Sequence, residues 1–293
     1  MAEYPGLPII DSHVHLYDPG RIRYRWMQGT KLDSPHLLAE LDAARGTVEI
    51  DGIVWMEVGA DPGLHEQEAS LVAGLAADDA RVRAMVAAAP LENGDAVKPD
   101  LEKLASLPLV KGIRRLLQHE LDPAFCLRPG FVAGVKLLPQ FGLSFDLCVY
   151  HHQLYNVVEL VRRCPEVRFV LDHIGKPAIR DDRLDPWRAD IKRLAALPNV
   201  WCKLSGVVTE AQAAWTREQL RPYIRHVAEQ FGFDRVMFGS DWPVSTLTHG
   251  YAEWVEIVAW ALADCSGTER RRLFRDNAIA FYHLADAAGD HSA

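Results

Sequence analysis

Cysteine is scarce in this chain of 293 residues: Cys126, Cys148, Cys164, Cys202 and Cys265 are the five it has, and no two stand in a Cys-x-x-Cys spacing. An odd, scattered set excludes a disulfide framework and a zinc ribbon, and leaves most of these thiols as small buried hydrophobes. Long apolar runs are missing as well. No stretch nears the roughly 18 residues a membrane span requires, and the N-terminus carries no signal pattern, so the protein is expected in the cytosol with no membrane partner. Positive charge is in deficit. The net charge is -8 and the Lys and Arg residues are scattered, which argues against nucleic acid as a partner. Gly-x-Gly-x-x-Gly, Walker A, Gly-x-Ser-x-Gly and His-Glu-x-x-His are all absent. Dinucleotide binding, P-loop phosphoryl transfer and α/β-hydrolase serine chemistry therefore lack their signatures. No Pro/Gly/Ser-rich linker divides the chain. With 49% hydrophobic residues, residues 1–285 read as one domain with a large core, followed by a disordered tail at 286–293.

What is present is a repeat of element types. Eight apolar runs, at 8–16, 51–60, 82–91, 110–118, 141–150, 167–177, 199–208 and 235–244, read as strands. Their starts are about 32 residues apart on average, the length of a βαβ unit. Between them, apolar residues at threes and fours predict helices over 35–45, 63–77, 97–106, 151–163, 186–196 and 214–231, with another at 251–263 after the last strand. The segment 127–140 reads as the fourth covering helix. Strands nearly continuous in Val, Ile, Leu and Phe are those of a parallel sheet covered on both faces. Eight such alternations predict an α/β fold, a (β/α)8 TIM barrel. A doubly wound open sheet is the competing architecture, and it would gather functional residues at one switch point. The long loop 18–32, after the first strand, is expected to hang over the barrel mouth.

Ligand-type residues stand where strands end. His13 and His15, in Ile-Asp-Ser-His-Val-His, sit one pleat apart and so point the same way at the end of the first strand. His173 ends the sixth strand in Asp-His-Ile-Gly-Lys-Pro (172–177), and Asp241 ends the eighth in Phe-Gly-Ser-Asp-Trp-Pro (238–243). In a barrel these ends converge at one mouth. His13, His15, His173 and Asp241 make four candidate ligands for a divalent metal, or three ligands plus a base that takes a proton from water. A competing reading makes Asp241 the N-cap of the following helix.

These three motifs, spread over nearly the whole chain, resemble the amidohydrolase superfamily, in its branch of sugar-lactone and related lactone hydrolases. The resemblance implies an amidohydrolase-like barrel and hydrolysis of a carboxylic ester. It places the family's first-strand metal pair on His13 and His15, its sixth-strand His on His173 and its eighth-strand acid on Asp241. Asp241 and His173 then carry catalysis. Many members of the superfamily also bridge two metals with a carboxylated Lys on the fourth strand. Here Lys111 lies at the start of that strand, the wrong end. One divalent metal, zinc, is therefore the expected cofactor, and the branch also holds enzymes that work without metal.

Further side chains are candidates for substrate binding: Trp26, Glu57, Arg114, His151, Lys203 and Trp242. Glu57 is a carboxylate in an apolar run, which calls for a partner: substrate hydroxyls, a metal, or Arg114 inside the barrel. Arg114 has the fork geometry to hold a carbonyl or carboxylate oxygen. Lys203 suits either the mouth or an internal ion pair. Trp26 and Trp242 offer faces for a sugar ring. This inventory suits a neutral polyhydroxylated ring, an aldonolactone such as L-fucono-, L-galactono- or L-rhamnono-lactone, serving carbohydrate catabolism. A hydrolase of a carboxylated lactone would require several convergent arginines, for which the loop residues Arg21, Arg23, Arg25, Arg128 and Arg180 are available. A metal-dependent non-oxidative decarboxylase is the rival enzyme class. A non-catalytic scaffold is disfavoured, since it has no need of clustered ionisable groups.

Overall fold

Each of the eight apolar runs contributes a strand in the computed structural model, which describes residues 6–285; the tail expected at 286–293 lies outside the described residues. The strands are β1 (Ile9–Val14), β2 (Ile50–Met56), β3 (Val82–Ala88), β4 (Val110–Arg114), β5 (Ser144–Leu147), β6 (Phe169–Leu171), β7 (Val200–Leu204) and β8 (Val236–Phe238). All pair in parallel and in sequence order. The helices between them are α1 (Leu38–Ala44), α2 (His65–Asp78), α3 (Lys98–Ala105), α4 (Pro129–Leu137), α5 (Leu154–Arg163), α6 (Trp187–Ala195) and α7 (Arg217–Phe231). After β8 come α8 (Tyr251–Ala261), α9 (Gly267–Arg271) and α10 (Asn277–Tyr282). The result is an α/β barrel of the TIM type, with α4 as the fourth covering helix. Among the described residues, no helix is long and apolar enough to cross a membrane.

Two hydrophobic clusters follow from strand alternation. Residues facing outward pack against the helices, while Ile10, Val54, Met56, Ala84, Val86, Val170 and Met237 fill the barrel interior. α10 stops that interior from below, with Phe281 and Tyr282 packed against it. Arg168, just before β6, donates to the Phe281 carbonyl, which places α10 at the strands' N-terminal end.

The seam between β1 and β8 is irregular. One bridge joins Val14 to Trp242, and around it His15 N donates to Trp242 O (2.8 Å) and Asp241 N to His13 O (2.9 Å). The Asp11 carboxylate ties the same seam, accepting from Ser240 N (2.9 Å) and from the Tyr251 hydroxyl (2.8 Å). The contacts that close the barrel thus also fix His13, His15 and Asp241 at the mouth. β6 and β8 are only three residues long, shorter than the runs 167–177 and 235–244 predict. Their continuations leave the ladder because His173, Ile174, Lys176 and Asp241 adopt left-handed backbone (φ 53°, 50°, 44° and 59°).

Candidate active site

Three imidazoles aim Nε2 at one carboxylate oxygen. Asp241 Oδ1 lies 3.4 Å from His15 Nε2, 3.7 Å from His13 Nε2 and 3.9 Å from His173 Nε2. Each ring is held from behind through Nδ1: His15 by the Met56 carbonyl (3.0 Å), His13 by Asp172 Oδ1 (3.3 Å) and His173 by the Ser205 hydroxyl (2.9 Å). A carbonyl can only accept, so His15 Nδ1 carries the proton and its Nε2 offers a lone pair. Asp172 at Nδ1 and the Arg114 Nη1 donor 3.3 Å from Nε2 favour the same tautomer in His13, outweighing the longer approach of Lys203 Nζ to Nδ1 (3.5 Å). On His15 and His13 a lone pair therefore faces an acceptor, and only a cation or a proton between them makes this favourable. Ligands at about 2.0–2.1 Å from a tetrahedral zinc lie roughly 3.4 Å from one another, close to the shortest of these separations. The nitrogens and carboxylate of His13, His173 and Asp241 all fall within 4.8 Å of one another. This donor set fits a divalent metal, with Arg114 as its competitor for His13.

Electrostatics prepare the same state. Burial drives His13 and His173 well below the usual imidazole range, against the pull of Asp172 and Asp241 respectively, so both are neutral. Neutral imidazole is the ligand form and loses no proton on binding metal. Burial alone would raise Asp241; positive charge shared with His173 and His15, whether a proton or a cation between them, together with Lys176 outweighs it and leaves the carboxyl below its ordinary value.

Local backbone makes room for this. A Cβ on Gly206 (φ +55°), just past β7, would lie 2.5 Å from His173 Nδ1, so glycine is required there. The Asp241 carboxylate caps no helix. α8 begins ten residues later behind Gly250, and only the Asp241 backbone carbonyl meets the following turn, at Ser245 N.

A profile of the family described as Amidohydrolase matches residues 10–284. The chain belongs to the amidohydrolase family. It is 34% identical over 305 residues to the L-fucono-1,5-lactonase of Burkholderia multivorans, covering 95% of this chain and 97% of that one. To the L-fucono-1,5-lactonase of Burkholderia ambifaria it is 36% identical over 216 residues, 72% of this chain and 74% of the other. A crystal structure of an amidohydrolase from Burkholderia multivorans with bound zinc superimposes with a TM-score of 0.85 at 32% identity, over 95% of this chain and 100% of that one.

Beneath the mouth of this amidohydrolase lies a second ionic layer. Arg114 donates through Nε to Glu57 Oε1 (2.6 Å) and through Nη1 to Asp172 Oδ2 (3.2 Å), and Nη2 reaches the Glu57 carbonyl. Lys203 Nζ pairs with Asp146 Oδ2 (2.7 Å) and Asp172 Oδ1 (3.1 Å), and the Tyr282 hydroxyl of α10 donates to Asp146 (2.8 Å). Burial alone would raise Asp172, but Lys203, His13 and Arg114 hold it well below the carboxylate range. It stays charged and keeps its grip on His13. Lys111 is the second residue of β4, at the end away from this layer.

The cleft over the site has a volume of roughly 510 Å³. Of the sequence candidates, His15, Trp26, Arg114, His173 and Asp241 line it. Trp26 is half exposed and pinned by its indole N–H to the Val58 carbonyl (2.9 Å), so the loop 18–32 does reach the mouth. Four substrate candidates are corrected. Glu57 is spent on Arg114 and on Gly59 N (2.7 Å), and Lys203 is wholly buried in its ion pairs. Trp242 is 1% exposed, its ring edge-on to His36 and closed to a sugar. His151 turns its Nδ1 to the Lys176 carbonyl (3.0 Å) and does not line the cleft. Sequence reasoning missed Asp172, Gln118, Lys176 and Tyr17. Asp172 and Lys176 flank His173 within one of the motifs already singled out; Gln118 and Tyr17 carry no comparable signal.

Proposed function

We propose that this amidohydrolase is a lactonase, opening a neutral sugar-acid lactone such as L-fucono-, L-galactono- or L-rhamnono-lactone to the open-chain aldonic acid. One observation carries the reading: a buried Asp241 carboxylate at the floor of an open cleft, ringed by three imidazoles that each turn Nε2 toward it. The carboxylate takes a proton from water held within about 3 Å. The freed oxygen adds to the ester carbonyl, the ring C–O bond breaks, and the ring oxygen leaves with a proton. A divalent ion, held by His13, His15, His173 and Asp241, would supply Lewis acidity toward the carbonyl. Asp172, Met56 and Ser205 keep the imidazoles aimed. Trp26 offers its exposed ring as a wall for the sugar.

The lining favours a neutral substrate over a carboxylated one. Among the five loop arginines, Arg23 and Arg25 are tied to Asp61 and Arg128 to Asp122, and none of the five lines the cleft. Proton release measured across aldonolactones and carboxylated lactones, with zinc and after chelation, tests the proposal. Aldonolactones are expected to be turned over best. Preference for a carboxylated lactone, or release of carbon dioxide from an aromatic acid in place of lactone turnover, would overturn it.

A further inference from the structure

Among the described residues, Lys176 is the one Lys or Arg lining the cleft that makes no ion pair with a carboxylate. Arg114 is matched by Glu57 and Asp172, whereas among the described residues no carboxylate oxygen lies within 4.0 Å of Lys176 Nζ. Its ammonium donates to the Gln118 side-chain oxygen and sits 5.3 Å from the centre of the Tyr150 ring. Both partners are neutral. Gln118 is itself steadied, since the same oxygen accepts from Cys148 Sγ (3.3 Å). An ammonium has three donors, and one is used here. Glu210 and Asp241 act on this half-buried ammonium only from beyond ion-pair distance, which leaves donors of Lys176 available to an anion in the cleft. Lactone hydrolysis makes one twice: the carbonyl oxygen becomes negative as water adds, and the product is a carboxylate.

We propose that Lys176 is a catalytic residue that binds the lactone carbonyl oxygen, stabilises the charge growing on it, and then holds the carboxylate of the product. As the water oxygen bonds to the carbonyl carbon, Asp241 takes the proton and the carbonyl π pair moves onto the oxygen beside Lys176. Collapse returns that pair, breaks the ring C–O bond and sends the proton to the ring oxygen. Lys176 stays protonated throughout. A single unpaired cation serves one oxyanion, which also explains why a second carboxylate on the substrate would find no partner.

This inference rests on the lactonase reading, and two measurements separate the fates of the two. Lys176→Met is expected to cut kcat on the best aldonolactone by about 10²- to 10³-fold, the loss typical of removing one oxyanion donor, with a smaller change in KM. Calorimetric titration with sodium L-fuconate should show a Kd raised at least tenfold in the variant, with Lys176→Arg restoring most of the binding. If Lys176→Met loses its fold by circular dichroism, Lys176→Gln carries the same test. A variant that keeps kcat within threefold of wild type, or binds the aldonate as wild type does, overturns the assignment; so does a wild-type protein that binds no aldonate. A wild-type protein inert toward every lactone sinks the lactonase reading instead, and the aldonate titration still judges Lys176.

Discussion

The mouth of the barrel and the layer just beneath it are built from the same materials and do opposite things. Both are buried and rich in carboxylates and cations. In the lower layer each carboxylate has a cation: Glu57 has Arg114, Asp146 has Lys203, and Asp172 has both. In the mouth the pairing is withheld. Asp241 faces three imidazole nitrogens, and Lys176 has a neutral amide for company. Burial makes unmatched charge expensive, so a fold that tolerates it in one layer while neutralising the next has located its chemistry. The paired layer also steers the unpaired one, because Asp172 belongs to both through His13.

Four measurements would break or sharpen this contrast. The largest effect is expected for Asp241→Asn, which keeps the shape and tolerates the left-handed backbone of that position (φ 59°) but cannot accept a proton. Turnover should fall by about 10²- to 10⁴-fold with the circular-dichroism spectrum unchanged. A loss of less than roughly tenfold would return Asp241 to a structural role. Lys203→Met should instead strike stability. Stranding Asp146 and Asp172 in the interior is expected to cost about 3–5 kcal/mol in urea unfolding, and a loss under about 1 kcal/mol would mean the lower layer is not held by its pairing.

His249 supplies a control for the imidazoles of the mouth, since burial lowers its pKa to about 4 against Glu253 and Asp241 although it is not one of the three rings aimed at the Asp241 carboxylate. Its folded-state value lies below the ordinary 6.5, so the unfolded chain takes up the proton first and stability declines as pH falls from 6.5 toward 4. Replacing it in His249→Gln should remove about 1.4 kcal/mol of that decline per pH unit. Thermal unfolding at several pH values checks it, and an unchanged slope would show that burial alone does not keep an imidazole neutral here. The smallest effect belongs to Trp26→Ala. Losing an exposed ring wall worth about 0.5–1.5 kcal/mol should raise KM up to roughly tenfold at constant kcat, and a fall in kcat alone would move Trp26 from binding to chemistry.

Much of the mouth was legible in the sequence because its signals are local. His13 and His15 share a face by strand period, and His173 and Asp241 follow apolar runs that had to be parallel strands. The eightfold alternation did the rest, since equivalent ends of parallel strands in a closed barrel meet at one mouth. Sequence therefore determined the barrel and the four residues at its centre. Partner choice is different in kind. Lys203 finds Asp146 across 57 positions and Arg114 finds Glu57 across 57; the sequence offered the Glu57–Arg114 pair and an internal ion pair for Lys203 only as alternatives to the mouth, and gave no sign that Lys176 is left over. Only the tertiary structure decided which polar groups neutralise one another and which face the cleft, because that depends on distances across the barrel and on left-handed turns at residues 173–176 and 241 that swing side chains off the strand face. The physical reason is that strand period sets direction along one segment, whereas neutralisation is settled between segments, once burial has made every unpaired charge costly.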